Sequence, residues 1–357
     1  MRWFFAFVFC VTFSLGLSSE VDARQPTVSI LSQNAEIVAA QQGGTINLWR
    51  RKGAQNEYSH LARLKNSTPF RGAVTERALV GVAKDGVVVW SGSKFEKKLR
   101  LPTPKTLSIA KLLISSDGRR AAMLYPFDGG VGDADAVRVW DTRRGTVLKD
   151  WRLKVDRSRR TRLLGGSFST NGKSLALFSD EPRAKNVQVF VFDTSNWKMR
   201  FNWQSDKYRT AFALALSAQG KKLALAADND ILLWQLQPGK LQSVLSCDRI
   251  KKLFPKALQG PAIGFRGAHQ LSFSPKADKL LSLHLFAVVG GAIWELGKSP
   301  RPTAWLKRPA NGSILRQSAW QADNSVWLVG SAYSADVFLY RAQDERFILQ
   351  TKFKTSD

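Results

Sequence analysis

Short runs of alternating apolar and polar residues recur along the chain, and each run ends in an aromatic residue. The runs occupy residues 45–49, 86–90, 136–140, 187–192, 230–234, 291–294 and 336–340. Such alternation is typical of a β-strand with one buried face. The aromatic ends follow one another at intervals of 41 to 60 residues, which is the length of a repeated four-stranded unit with variable loops. The aromatic side chains are therefore predicted to fill space between neighbouring sheets.

A second motif precedes four of these runs: an apolar residue and a serine lead into a polar turn and another apolar strand. The serines are Ser115, Ser169, Ser217 and Ser274. The turns contain Gly, Asn and Asp, which adopt a positive φ at low cost. Each motif therefore predicts a tight hairpin between two strands of one unit.

A polar turn and a further strand follow some of the aromatic ends. Residues 137–151 (VRVWDTRRGTVLKDW), with weaker copies at 191–197 and 44–49, resemble the third strand, turn and fourth strand of a WD-repeat blade. The resemblance covers residues 27–353 and implies an all-β fold, a seven-bladed β-propeller of four-stranded antiparallel blades. A single blade cannot cover both of its apolar faces, so the ring supplies neighbours for each. Whether the N-terminal strand completes the last sheet is left open by the sequence.

The sequence departs from the usual WD pattern at its histidines. The Gly-His dipeptide that opens many WD blades is absent, and His60, His269 and His284 do not recur at one blade position. The hydrogen-bonded tetrad built on that histidine is therefore not expected in its usual form, and these three residues are interpreted as strand or loop residues.

The N-terminus has the pattern of a secretory signal. Arg2 precedes an apolar run over residues 3–17, and Val21 and Ala23 have the spacing of a signal-peptidase site. A helix of that length rises roughly 22 Å, short of the roughly 30 Å hydrocarbon core of a bilayer. We therefore expect a signal peptide over 1–23, cleavage near Ala23, a propeller over 24–357, and a secreted or periplasmic protein with no integral membrane segment.

The charge of the chain points to acidic partners. Lys and Arg number 54 against 28 Asp and Glu, a formal net charge of +26, and such a field attracts polyanions. Two cysteines and three histidines are too few for a Cys/His metal site or a disulfide framework. We predict no cofactor, no metal site and no identifiable catalytic residue.

The resemblance to WD blades places the connections between blades on the same face as the hairpins between second and third strands. We call this the loop face, and the opposite face, with the other hairpins, the turn face. All six connections between blades carry basic residues. The predicted anion-binding residues are Arg152, Lys154, Arg157, Arg159, Arg160, Arg162, Arg249, Lys251 and Lys252.

The hairpins between second and third strands are acidic instead. Their carboxylates are Asp85, Asp128, Asp133, Asp135, Asp180, Glu181, Asp228, Asp230 and Asp336. Turn chemistry explains them, because Asp bonds to nearby backbone in tight turns. A hard cation near the central channel, which needs about six oxygen ligands, is the alternative.

These observations favour an exported, non-enzymatic binding or scaffold protein whose basic face takes an acidic protein or an anionic envelope polymer. The alternative is a propeller enzyme, a hydrolase or lyase with carboxylates at the channel mouth. No nucleophile elbow, P-loop or zinc-helix motif selects catalytic residues. Positive charge alone gives non-specific affinity for nucleic acid, but export argues against that role.

Overall fold

The computed structural model describes residues 28–353, except 33–34, 43, 53–56, 67–71, 85, 105–108, 127–133, 153–161, 182–184, 254–266, 285–288, 308–313, 322, 324, 332–336 and 344–345. Seven antiparallel sheets of four strands account for the described secondary structure, apart from one short helix. Each sheet uses four consecutive strands, so the chain finishes one blade before it begins the next.

Blade 1 comprises β1 (Val28–Leu31), β2 (Ile37–Gln42), β3 (Thr45–Lys52) and β4 (Glu57–Lys65). Blade 2 comprises β5 (Gly72–Val74), β6 (Ala78–Ala83), β7 (Gly86–Ser91) and β8 (Lys97–Leu101). Blade 3 comprises β9 (Lys111–Ile114), β10 (Arg120–Tyr125), β11 (Ala136–Asp141) and β12 (Thr146–Arg152). Blade 4 comprises β13 (Arg162–Phe168), β14 (Ser174–Glu181), β15 (Asn186–Asp193) and β16 (Met199–Ser205).

Blade 5 comprises β17 (Ala211–Leu216), β18 (Lys222–Ala227), β19 (Asp230–Gln235) and β20 (Lys240–Ser246). The helix α1 (Cys247–Leu253) follows it. Blade 6 comprises β21 (Gln270–Phe273), β22 (Lys279–Leu283), β23 (Val289–Glu295) and β24 (Arg301–Lys307). Blade 7 comprises β25 (Ile314–Trp320), β26 (Val326–Ser331), β27 (Val337–Gln343) and β28 (Arg346–Phe353).

The first strands of the blades form the inner wall of a closed ring. Each contacts the first strand of the next blade, from β1 to β5 and onward to β25, which contacts β1 again. Because the strands of a blade run antiparallel in chain order, connections between blades and hairpins between second and third strands emerge on one face. The seven-bladed propeller and the predicted division into a loop face and a turn face are confirmed.

The predicted aromatic residues occupy equivalent positions in the third strands, and we call them the anchors. All seven are at most 8% exposed. Six pair with the second residue of the second strand, whereas Tyr340 pairs with the third, Leu328. The pairing with the fourth strand shifts register next to six of them, all except Trp90. Such a bulge bends and twists the strand pair at the same level in each of these blades.

The ring closes by side-chain packing between blade 1 and blade 7. Strand β1 pairs with β2 of its own blade, and β25 to β28 complete blade 7. Val38 and Trp49 of blade 1 pack against Trp327 and Leu339 of blade 7 in one buried cluster. The sequence left the mode of closure open; the structure assigns it to an apolar interface of the same kind as the other six.

The four predicted serine turns share one conformation. Each serine hydroxyl accepts a hydrogen bond of 2.9 to 3.0 Å from the backbone nitrogen five residues later. The residue three positions after the serine has a positive φ, and it is Gly in three turns and Ala277 in the fourth. Ser32 makes the same turn in blade 1, with Ala35 at φ 58°.

Some strand boundaries differ from the prediction. The third strands continue one to three residues beyond their anchors. Asp180 and Glu181, predicted to lie in a hairpin, belong to the buried end of β14. In the described part of the chain, no helix is long and apolar enough to cross a membrane. The predicted signal peptide, residues 1–23, lies outside the described residues.

Candidate functional site

Several of the predicted basic residues lie on the loop face, at two separate places around the ring. Arg152 ends β12, and Arg249, Lys251 and Lys252 lie on α1. Arg162 begins β13. The structure does not describe its side chain or that of Lys251, and the described residues do not include Lys154, Arg157, Arg159 and Arg160. The connection between blades 3 and 4 therefore leaves from Arg152 and enters blade 4 at Arg162, so both ends of the predicted basic segment lie on the loop face.

Arg152 is held by a buried carboxylate. Its Nε donates a hydrogen bond of 2.9 Å to Asp135 Oδ2, and the side chain of Asp135 is only 4% exposed. The neighbouring residue Ala134 forms a β-bridge to Leu163 of blade 4, with a backbone hydrogen bond of 2.7 Å. Together these contacts fix the two ends of the basic connection relative to each other.

Two further acidic residues of this face have structural partners. Asp180 Oδ2 accepts from the backbone nitrogen of Ala211 in the next blade at 3.4 Å. Glu181 Oε2 accepts from the side-chain amide of Asn186 at 3.3 Å, within the hairpin of blade 4. Both carboxylates are almost completely buried. The Asp180 contact joins blades 4 and 5, and the Glu181 contact joins β14 to β15. Such partners are expected, because buried polar groups are usually hydrogen-bonded.

The connection between blades 4 and 5 presents two cations on an ordered support. Asp228 accepts from the backbone nitrogens of Arg209 and Thr210, both at 3.1 Å. Tyr208 donates to Asp230 at 3.2 Å, and burial, followed by the charge of Asp230, raises the pKa of its hydroxyl to about 12. Lys207 and Arg209 are exposed around this support. The acidic hairpin of blade 5 thus bonds to the connection that precedes the blade, rather than to the backbone of its own turn as the turn interpretation of these carboxylates expects.

Helix α1 presents basic residues between blades 5 and 6. Ile250 is fully buried and joins the apolar cluster between these blades. Arg249 is exposed and donates to the carbonyl oxygen of Pro300 at 3.5 Å, and Lys252 is also exposed. Ile250 therefore anchors the helix to the blades, while Arg249 and Lys252 are exposed to solvent.

The turn face also carries arginines, but acidic residues of the same turns lie beside them. Arg119 is 3.9 Å from Asp117. The backbone nitrogens of Arg143 and Arg144 both donate to Asp141. Arg119, Arg143 and Arg144 are exposed on the turn face, so they can serve as control positions for charge changes on the loop face.

The histidines have different environments. His60 of β4 contacts the ring of Trp49, with centroids 6.1 Å apart. His284 is buried, its Nε2 lies 3.1 Å from Ser282 Oγ, and Trp294 donates to the same hydroxyl at 3.0 Å. The described residues contain no group of three His, Cys, Asp or Glu side chains placed to hold a metal ion.

Sequence reasoning missed Lys111 at the inner wall of the ring. It is the first residue of β9, and the three residues that follow it are buried and apolar. The signal available in the sequence was a single lysine at the start of an otherwise apolar first strand.

Comparison with known proteins supports the fold. No family model matches the chain, and no curated protein matches it. A chain of the "Crystal Structure of Mitotic Checkpoint Complex" is 14% identical with a TM-score of 0.60, the match covering 94% of this chain and 92% of that one. The β-propeller domain of Myceliophteria thermophila Cps50 (Swd1) is 12% identical with a TM-score of 0.55, covering 80% and 85%. The Dos1 propeller is 13% identical with a TM-score of 0.59, covering 87% and 76%. The chain therefore has the fold of a WD-repeat-like seven-bladed β-propeller.

Proposed function

We propose that this protein is an exported, non-enzymatic binding scaffold whose loop face holds an acidic protein or an anionic envelope polymer. The observation that carries the proposal is the set of exposed cations at this face, Lys207, Arg209, Arg249 and Lys252. The basic segment 152–162 adds to it, because both of its ends lie on the same face. Arginine suits carboxylate, sulfate and phosphate groups because its guanidinium can donate two parallel hydrogen bonds.

The architecture supports a binding role. A ring of blades gives a rigid platform, and its connections vary in length without disturbing the sheets. One of the structures with the same fold was solved as a complex, the mitotic checkpoint complex. Export rests on the N-terminal sequence pattern and is part of the proposal.

The alternative of a propeller enzyme has no specific observation in its favour. Of the loop-face carboxylates that the structure describes, Asp135, Asp180 and Glu181 are buried and hydrogen-bonded to structural partners. Activity toward esters, lactones or uronic glycans, with and without calcium, would support the enzyme and contradict the scaffold.

The experiment compares two charge-reversal variants of the mature chain. The loop-face variant changes Arg157, Arg159 and Arg160 to Glu, and the turn-face control changes Arg119, Arg143 and Arg144 to Glu. Binding to a heparin oligosaccharide and to a poly-glutamate peptide is measured over a range of salt concentrations. The two probes separate an anionic polymer from an acidic protein as the partner class.

We expect the loop-face variant to bind more weakly, by up to about a hundredfold at low salt, since exposed ion pairs contribute up to roughly 1 kcal/mol each. The turn-face control should bind as the wild type does. Affinity should fall steeply with salt, because the Debye length shrinks from about 10 Å at 0.1 M to about 3 Å at 1 M. Equal losses in both variants, or binding that salt does not weaken, would contradict the proposal. Tighter binding to duplex DNA than to either probe would point to nucleic acid instead.

A further inference from the structure

The inner wall of the ring carries a lysine at the start of β9, where three buried apolar residues follow it. β9 contacts the first strands of both neighbouring blades, β5 and β13, so it faces the central channel. Ile114, at the other end of β9, leads into the turn-face hairpin, which puts Lys111 at the loop-face end. The strand pairing sets Lys111 opposite Leu124. Lys111 therefore stands at the loop-face mouth of the channel.

The side chain of Lys111 reaches toward blade 4. Alternation along β9 puts Lys111 on the same side as Leu113, which packs between blades 3 and 4. A Cβ atom at Gly165 of β13 would lie 3.1 Å from Lys111 Nζ and 2.9 Å from Phe178 Cε1. The absence of a side chain at Gly165 thus leaves the space in which the ammonium group lies beside an aromatic ring.

No hydrogen bond or ion pair reaches the Lys111 ammonium group in the part of the chain that the structure describes. The side chain keeps access to solvent, but the protein around it removes enough water that desolvation lowers the pKa of the amine. An ammonium group in such a place is stabilised by an anion that supplies the missing negative charge.

We propose that Lys111 is an anion-binding residue at the channel mouth, where it takes one carboxylate, sulfate or phosphate group of the ligand. The proposal rests on the proposed function and deepens it, because it adds a point of contact inside the ring of basic connections. The surface cations attract the ligand over a distance, whereas Lys111 holds one anionic group at the inner wall, between blades 3 and 4.

The direct test measures the pKa of Lys111 itself in the folded mature chain. Reductive ¹³C-methylation of lysines retains their charge, and the Lys111 signal is assigned by its loss in the Lys111→Met variant. The pH titration is run without added anion, with inorganic sulfate, with the poly-glutamate peptide and with the heparin oligosaccharide. We expect the pKa of Lys111 to lie below the usual range for a lysine, and to rise by about one unit at a saturating anion concentration. That rise is the linkage counterpart of about tenfold tighter binding to the charged form.

Substitutions give the second readout. Lys111→Met should bind the preferred probe about tenfold more weakly, Lys111→Arg should retain most of the affinity, and the turn-face control Lys198→Met should bind as the wild type does. If Lys111→Met fails to fold, the Lys111 signal is assigned by its loss in Lys111→Arg, and the titration of the wild-type chain still decides the question. The relative effects of poly-glutamate and heparin identify whether a carboxylate or a sulfate is the better ligand.

The two proposals fail in different ways. A Lys111 pKa that no anion changes, or equal binding by Lys111→Met and the wild type, would overturn the role of Lys111 while the loop face still binds. If neither polymeric probe binds the wild type, the proposed function fails, and the response of the Lys111 pKa to sulfate still tests the anion site.

Discussion

Truncation of one anchor should destabilise the whole propeller. Trp140 is fully buried, packs with Val89, Leu112 and Met123 between blades 2 and 3, and donates a hydrogen bond of 2.9 Å to the carbonyl oxygen of Pro102. Trp140→Ala should therefore cost about 3–5 kcal/mol for the lost packing and the cavity. The broken hydrogen bond adds roughly 1 kcal/mol. Typical stabilities of native proteins are about 5–15 kcal/mol, so this one change removes a large share.

Urea unfolding of the protein, followed by far-ultraviolet circular dichroism, measures the effect. Trp140→Phe retains much of the ring but removes the N–H donor, so it should cost roughly 1–3 kcal/mol. The matched control is Val147→Ala, which changes the cross-strand neighbour of Trp140 on the outer strand, where Val147 is 41% exposed. It should change stability by no more than about 0.5 kcal/mol. Equal losses in Trp140→Ala and Val147→Ala would refute the view that the anchors hold neighbouring blades together.

Three other substitutions test turns and loop-face contacts. Ala277→Gly should raise the free energy of unfolding by up to about 1 kcal/mol, and with it the urea midpoint. The reason is that Ala277 has φ 54°, where a Cβ is strained and glycine has none. Hydrogen bonding from Ser274 lowers the pKa of Asp278, so its stabilisation is complete above about pH 4 and is lost as the pH falls through the lower folded pKa. Acid titration of unfolding should therefore be shallower in Asp278→Asn, and an unchanged profile would contradict this. Arg152→Met should lower the free energy of unfolding, measured with heat or urea, by about 1–2 kcal/mol. The substitution leaves the buried Asp135 carboxylate without the partly exposed arginine that pairs with it.

The repeated local patterns predicted most of the fold. Alternation and the aromatic spacing identified the third strands, because a residue at a repeated inward position must be bulky and apolar. The serine turns identified four hairpins, because a positive φ favours particular residues. The same turn at Ser32 was missed, because the segment SQNAE (32–36) has neither the glycine of three copies nor the aspartate that follows Ala277 in the fourth.

Features that depend on contacts between distant residues could not be read from the chain. Closure of the ring depends on Trp327 of β26 packing against blade 1, and the apolar run around it looks like any buried strand. Asp180 and Glu181 looked like hairpin residues because acidic residues are common in turns, yet contacts from Ala211 and Asn186 hold them in a buried strand. The place of Lys111 at the channel mouth likewise follows only from the order of the strands around the ring.

Lysine footprinting with and without an anionic ligand tests the loop-face account most directly. The protein is acetylated in the presence and absence of the heparin oligosaccharide, and the modified peptides are quantified by mass spectrometry. If the loop face binds the anion, Lys207 and Lys252 should be protected, whereas Lys173 and Lys198, which are exposed on the turn face, should not. Protection of the turn-face pair, with the loop-face lysines still fully reactive, would contradict binding at the loop face.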